Sequence, residues 1–430
     1  MDLRMDGAEQ FEECPQCGAR VPVESRFVTW CARCDWNVDP GGAPEPAPGR
    51  IDALRRRLVH RYGEQLLIEV GSGATGRPPR SSYRALAYGL ALLVHGVTVA
   101  LLVGGVLLLV LGWGTFLGPV LGVLLLAMAC VLRPRLLSRP RGVPTLERAD
   151  APTLFAVIDE IAAAVGTSGV HVVVFDAEFN ASVTRYGLRQ RRMLRLGLGV
   201  WQVATPQQRV ALLGHELGHY AHGDDRHGII VGNALHSLRV WYYLLAPTPR
   251  PGLGARLVDL LAFGPRWAVY GVLVLLDHVT IGAAQHAEYL ADRSAARVGS
   301  SVAAVELMDR LLIGSSVAGE LRRQVVAANT RVGRAAPRDR VGAELWTNLA
   351  THAEAIPERE YERLRRVSVL RGHGVDSRHP PTHLRRRVLG DDEQYPGSVR
   401  LDAERNAAVE AELAPTCVRL AEEVIRGHVG

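Results

Sequence analysis

Residues Val210 to Asp225 read VALLGHELGHYAHGDD. On a helix, side chains four apart lie on one face. His215 and His219 therefore present two imidazoles to one point, with Glu216 projecting beside them. Two histidines one turn apart with an intervening glutamate are a zinc-protease arrangement: two metal ligands and a base for water. The helix carries its own start signal. Thr205 can cap it, Pro206 suits the first helical position, and Gln208 completes a capping box. Val210, Leu213 and Leu217 follow as a buried stripe at helical spacing. The bland alternative is a helix with two ordinary histidines, because so short a pattern arises by chance.

A third ligand is required, and the stretch from His286 to Asp292, HAEYLAD, offers one. Glu288 and Asp292 are four apart and share a helix face. A glutamate on a second helix completes the ligand set in one large class of such enzymes. Asp292, one turn on, can accept a hydrogen bond from a ligand imidazole and fix its orientation. Asp224, Asp225, His222 and His286 are rivals for the third position. The extended motif with a third histidine ten residues after the first would need histidine at Asp225, so that geometry is disfavoured.

The N-terminal region carries a second metal-like pattern. Cys14-Pro15-Gln16-Cys17 and Cys31-Ala32-Arg33-Cys34 are two Cys-x-x-Cys knuckles with thirteen residues between them. They read as a four-cysteine zinc ribbon, closed and structural, with a redox dithiol as the lesser alternative. Residues 1–40 hold eight acids and four arginines. An acidic ribbon argues against nucleic acid, so no nucleic-acid partner is expected and a protein-binding or regulatory role is favoured. The whole chain of 430 residues is basic, at +6, and every basic residue is arginine. Its opening residues, MDLRMDGAEQ, do not resemble a secretory signal.

Between ribbon and motif the composition changes twice. Asp39 to Gly49 is rich in proline and glycine and reads as a linker, and Ile51 to Val70 reads as a basic amphipathic helix. Leu86 to Leu111 then runs without charge, long enough to cross a bilayer. A turn near Trp113 leads to a second apolar stretch, Phe116 to Leu132, with Arg133, Arg135, Arg139 and Arg141 immediately after. Arginines on both outer flanks predict a transmembrane hairpin with both ends cytoplasmic. His95 inside it is expected to face the bundle. Two later apolar stretches, 228–245 and 260–284, contain charges and read equally as spans, half-inserted helices or core helices.

From Pro144 the pattern is globular. A helix is expected over Pro152 to Val165, strands over Val170 to Phe175 and Arg192 to Gly197, a basic loop-rich stretch over Arg322 to Arg340, and one or two surface helices over Ala403 to His428. The predicted organisation is a ribbon over 1–39, a linker and basic helix over 40–85, the hairpin over 86–133 and a metallopeptidase domain over 144–430. The fold class is α+β: a mainly helical zincin-type metallopeptidase domain with a small sheet.

Taken together, these residues resemble the membrane-bound zinc metallopeptidases of the HtpX and CAAX prenyl endopeptidase group. The resemblance covers about 149–389 and is carried by Asn180-Ala181, the motif at 215–219, Glu288-Tyr289-Leu290-Ala291-Asp292, and His379-Pro380-Pro381 with Arg385. It implies that His215, His219 and Glu288 bind zinc, that Glu216 is the catalytic base and that Asp292 supports a ligand. It also implies that His379, Asn180 and Arg385 lie near the active site. The ribbon is an addition to that pattern.

The expected cofactors are two Zn2+ ions, one catalytic and one structural. The expected partners are a lipid bilayer and polypeptide substrates, chiefly membrane proteins, with the ribbon recruiting or gating them. The expected location is the cell membrane, multi-pass, with ribbon and catalytic domain facing the cytoplasm. The rival from another class is a non-catalytic, membrane-anchored ribbon sensor built on a metallopeptidase scaffold; an intact Glu216 speaks against it.

Overall fold

The computed structural model describes residues 10–41, 81–133, 138–222, 224–247, 252–331, 338–371 and 380–427. The predicted linker and helix over 40–85 lie almost wholly outside these residues, and so does His379. Strands β1 (Gln10–Glu13) and β2 (Arg20–Val23) form an antiparallel hairpin that carries the first cysteine knuckle. Helices α1 (Ser81–Leu111) and α2 (Leu117–Leu132) form the apolar hairpin. Glycines close it: a Cβ on Gly105 would lie 2.8 Å from the Leu126 side chain and 3.0 Å from the Gly122 carbonyl.

The globular part opens with β3 (Thr145–Leu146) and α3 (Pro152–Val165), the latter as its apolar spacing predicts. Strands β4 (Val172–Asp176), β5 (Ala181–Tyr186) and β6 (Arg191–Gly197) complete a sheet of order β3-β4-β6-β5. β4 and β6 are parallel, while β5 pairs antiparallel with β6 and forms the edge. A short helix α4 (Leu198–Val203) then leads to α5 (Pro206–Ala221), the motif helix. Its start is as predicted: the Gln208 amide donates to Thr205 Oγ1 at 3.4 Å, and the Thr205 amide donates to Gln208 Oε1 at 3.1 Å.

Helices α6 (Asp224–Leu244) and α7 (Leu253–Gly299) cover the later apolar stretches. α6 packs Val231, Ala234, Leu238 and Trp241 against Ala87, Ala91 and Val94 of α1 and Leu276 of α7. His95 Nε2 donates to the Ile230 carbonyl at 3.1 Å, so it faces this bundle. α7 is a single helix of 47 residues, about 70 Å long at 1.5 Å per residue. Its first half exposes Leu257, Val258, Leu260, Leu261, Phe263 and Trp267, and its last third is buried. By length and composition, α1 and α7 are apolar enough to cross a membrane, and α2 is a shorter apolar helix.

The remaining helices wrap the site: α8 (Ser301–Leu312), α9 (Gly314–Arg331), α10 (Arg338–Glu354), α11 (Glu358–Arg371), α12 (Thr382–Asp391) and α13 (Ala403–Ile425). Two expectations need correction. The basic stretch at 322–340 is helical up to Arg331 and again from Arg338. Arginine is a good helix former, and Val317 and Ala328 are buried on α9. The C-terminal helix is more than a surface element. It is continuous through Pro415 and puts Val409, Leu413, Leu420 and Ala421 into the main core, which also takes Phe155, Phe175, Leu196, Trp201, Leu213 and Trp346.

Candidate metal centre

Helices α5 and α7 meet through glycines. A Cβ on Gly218 would lie 3.1 Å from both Ala291 Cα and Ser294 Cβ, and one on Gly214 would lie 2.2 Å from Val298 Cγ2. Helix separation follows the size of the side chains at the contact. With none on these two positions, α7 approaches closely enough for Glu288 to reach the histidine pair. Its Oε2 is 3.5 Å from His215 Nε2 and its Oε1 is 3.6 Å from His219 Nε2. One donor atom from each of the three lies within 4.8 Å of the others. The two imidazoles stand edge-on, with centroids 4.9 Å apart and an interplanar angle of 88°.

Two imidazoles and one carboxylate are the donor set of a catalytic zinc site, which leaves a coordination position open. The surroundings of the donors fit the same role. His215 Nδ1 lies 2.9 Å from Oδ1 of Asp292, so Nε2 is left to point at the centre. Burial penalises charge on His215, but hydrogen bonds to Asp292 and Glu288 outweigh it and raise its pKa to about 10. A cation bound by His215 would have to displace that proton.

Asp292 is fully buried and is held by Arg385. Arg385 Nε donates to Oδ2 at 2.8 Å, and Nη2 donates to Oδ1 at 2.6 Å. Burial raises the cost of the Asp292 charge, yet Arg385 and His215 hold its pKa down at about 2. Arg385 Nη2 also comes within 3.7 Å of Glu288 Oε2. The family resemblance pointed to Arg385 as active-site support, and its nearest carboxylate is that of Asp292. Glu216 is buried within the motif helix between the two histidines.

Other candidates have contacts of their own. Asn180 is exposed, and its Oδ1 accepts from the Ala181 amide at 2.9 Å, which caps the start of β5. A ring nitrogen of His222 lies 3.2 Å from Ser294 Oγ. The sequence reading missed Tyr220. Its hydroxyl donates to the Thr184 carbonyl at 2.6 Å and approaches that of Met193 at 3.2 Å, tying the motif helix to the edge strand. The signal for it was slight: a tyrosine directly after a ligand histidine. Gly214 and Gly218 were also legible only in hindsight, since nothing in a single sequence marks a helical glycine as a crossing point.

The four cysteines of the ribbon also converge, with donor atoms within 4.8 Å of one another. Cys14 Sγ is 3.6 Å from Cys34 Sγ, and Cys17 Sγ is 3.6 Å from Cys31 Sγ. Burial opposes a thiolate there, but the backbone amides of Arg33 and Cys34 bring the Cys31 thiol down to about 6, while the neighbouring sulfurs push the Cys34 thiol up.

Residues 148–390 match Peptidase family M48. No curated protein and no solved structure matches the chain. The match covers more than half of the sequence and contains α5, α7 and α12, which build the centre. The chain belongs to Peptidase family M48, a family of zinc metallopeptidases.

Proposed function

We propose that this protein is a membrane-anchored zinc metalloendopeptidase. The observation that carries the reading is the convergence of His215, His219 and Glu288 within 4.8 Å in a metallopeptidase chain. These three hold zinc, which supplies a Lewis acid and makes water nucleophilic at neutral pH. Glu216 takes the proton of the attacking water and passes it to the leaving amine. Asp292 holds His215 in the tautomer that leaves Nε2 free for the centre, and Arg385 fixes Asp292. An extended substrate adds to the edge strand β5, which Tyr220 ties to the motif helix. His379 and Asn180 stay as supporting candidates from family likeness.

Anchoring is supported by the apolar exposed surfaces of α1, α2 and the first half of α7. A bilayer core needs about 20 helical residues. The stretch from Leu253 to Leu275 meets that length, and the same helix then continues to Glu288. At 1.5 Å per residue the glutamate lies about 20 Å beyond the apolar stretch. Substrates are therefore polypeptides at or near the membrane. A catalytic domain on the cytoplasmic side is supported by the arginines flanking the hairpin. The four cysteines hold a second, structural zinc.

The test is cleavage of an unstructured protein in detergent with zinc, comparing wild type with Glu216→Gln. The variant keeps the ligands and lacks the base. Activity in wild type alone supports the assignment. Equal activity in both removes Glu216 from its role.

A further inference from the structure

The second cysteine knuckle is engaged within the chain itself. Trp30, just before Cys31, is 1% exposed and packs with Val38 and with Val367 of α11. Arginines of α11 surround it. Arg359 donates to the Trp30 carbonyl, Arg363 Nη1 to the Val38 carbonyl at 2.7 Å, and Arg366 Nη1 to the Ala32 carbonyl at 2.7 Å. Arg366 also pairs with Asp35 at 2.7 Å, and Arg371 forks onto Asp39 at 2.7 and 2.5 Å. The guanidinium groups of Arg359 and Arg366 lie over the Trp30 ring at 5.2 and 5.1 Å. Arg359, Arg363 and Arg366 are spaced four and three apart, so one helix face makes the contact. The gap at the seam, lined by Pro22, Phe27, Val28, Trp30, Pro357 and Arg359, measures about 10 Å³, the room of one water at most.

The acceptors belong to the knuckle. The carbonyls of Trp30 and Ala32 flank Cys31, and Asp35 follows Cys34. Their positions depend on the turn in which the Asp35 amide donates to the Cys31 carbonyl at 3.0 Å. Four thiolates around one ion hold such a turn, and small metal domains commonly lose their fold without it.

The contact continues toward the catalytic centre. Arg365 of α11 grips Asp309 of α8 through Nε and Nη2, each at 3.0 Å. Arg386 of α12 donates to the same Asp309 Oδ1 at 2.8 Å. Its neighbour Arg385 holds Asp292. Ser368 Oγ and His383 Nδ1 add a second link between α11 and α12 at 3.5 Å.

We propose that the ribbon is a clamp acting within its own chain: loaded with metal, its second knuckle grips α11 and, through Asp309, fixes the pose of α12 and Arg385. It rests on the four-cysteine metal site proposed above. The partner of this ribbon face is α11, and metal loss from the ribbon loosens the support of a centre in another domain. The face that a recruited protein would use is then a different one.

The test uses the full chain in detergent with zinc, in a Glu216→Gln background that prevents self-cleavage. Zinc per chain and hydrogen exchange of each helix are measured for that parent, for Cys31→Ser/Cys34→Ser, and for Arg363→Met. The expected cysteine variant holds one zinc fewer than the parent. Its exchange over 358–371 and 382–391 is faster by about tenfold, the factor that ~1.4 kcal/mol represents, while β4 and β6 are unchanged. Arg363→Met keeps all its zinc and shows the same acceleration. A cysteine variant that loses its zinc yet exchanges in α11 at the parental rate overturns the clamp. Faster α11 with parental α12 overturns the link to Arg385. A cysteine variant with parental zinc content refutes the ribbon metal site itself. Should the cysteine variant accelerate in β4 and β6 as well, Arg363→Met decides alone by the same criteria.

Discussion

Arg385 and Asp292 form a two-pronged ion pair in the protein interior, and the oxygen that receives the Arg385 Nη2 bond, Oδ1, also lies 2.9 Å from Nδ1 of His215. One carboxylate thus orients the His215 imidazole and is itself held by a fixed cation. Outer partners of ligand histidines set ring orientation and basicity. Asp292→Asn keeps the size of the side chain and loses its charge. Zinc affinity at the His215 centre is expected to fall ~10–100-fold, read by competition with a chromogenic chelator. Unchanged affinity would show that Asp292 does not serve the metal.

Removing the cation has a different consequence. Arg385→Met leaves Asp292 buried without its counter-charge. Breaking a buried pair from one side costs ~3–5 kcal/mol, while replacing both partners is far milder. Thermal unfolding of the double variant Asp292→Asn/Arg385→Met is therefore expected to show a smaller loss than the two single losses added together. Simple additivity would mean that the pair is uncoupled.

The helix crossing gives a geometric prediction. A methyl at Gly218 meets the Cα of Ala291, which is backbone and cannot rotate away. Alanine also favours the helix by about 1 kcal/mol over glycine, so overall stability is expected to change little in Gly218→Ala. The strain falls on the spacing between α5 and α7. Zinc affinity is expected to drop by about tenfold, the low end for groups just outside the ligand set. A large fall in melting temperature with intact zinc affinity would locate the effect in packing alone.

Cys417 is half-buried against the edge of the main core, where Gln202 Nε2 donates to its sulfur at 3.6 Å. Burial pushes its thiol up to about 11, with the Gln202 bond only partly opposing. At pH 8 it is a thiol, which is not the reactive form, and its sulfur is partly shielded by the core. Iodoacetamide followed by mass spectrometry is expected to label Cys417 in denaturant and not in the folded protein. Labelling of the native state would place it on an open surface.

Much of the centre was legible because its chemistry is local. The spacing of His215, Glu216 and His219, the Thr205 and Gln208 cap, and the four-residue step from Glu288 to Asp292 are all properties of single helices. Strands over 172–176 and 191–197 were legible from apolar runs. The rest depends on which helix meets which. Gly214 and Gly218 acquire meaning only when α7 lies against them. Charges in 260–284 left the start of α7 open, because a helix that exposes an apolar first half and buries its last third carries both kinds of residue. The basic run at 322–340 read as loop because arginine was counted for its charge and not for its helix propensity. Docking of the ribbon on α11 was invisible, since Arg359, Arg363 and Arg366 look like any solvated helix face until Trp30 is laid on them.

The central claim is that α5 and α7 together make a single zinc centre, separate from the cysteine ribbon. Zinc counted per chain by elemental mass spectrometry, in wild type, His219→Ala and Glu288→Ala, tests it most directly. Each variant is expected to lose one zinc and keep the one in the ribbon. Wild-type zinc content in both variants would contradict it.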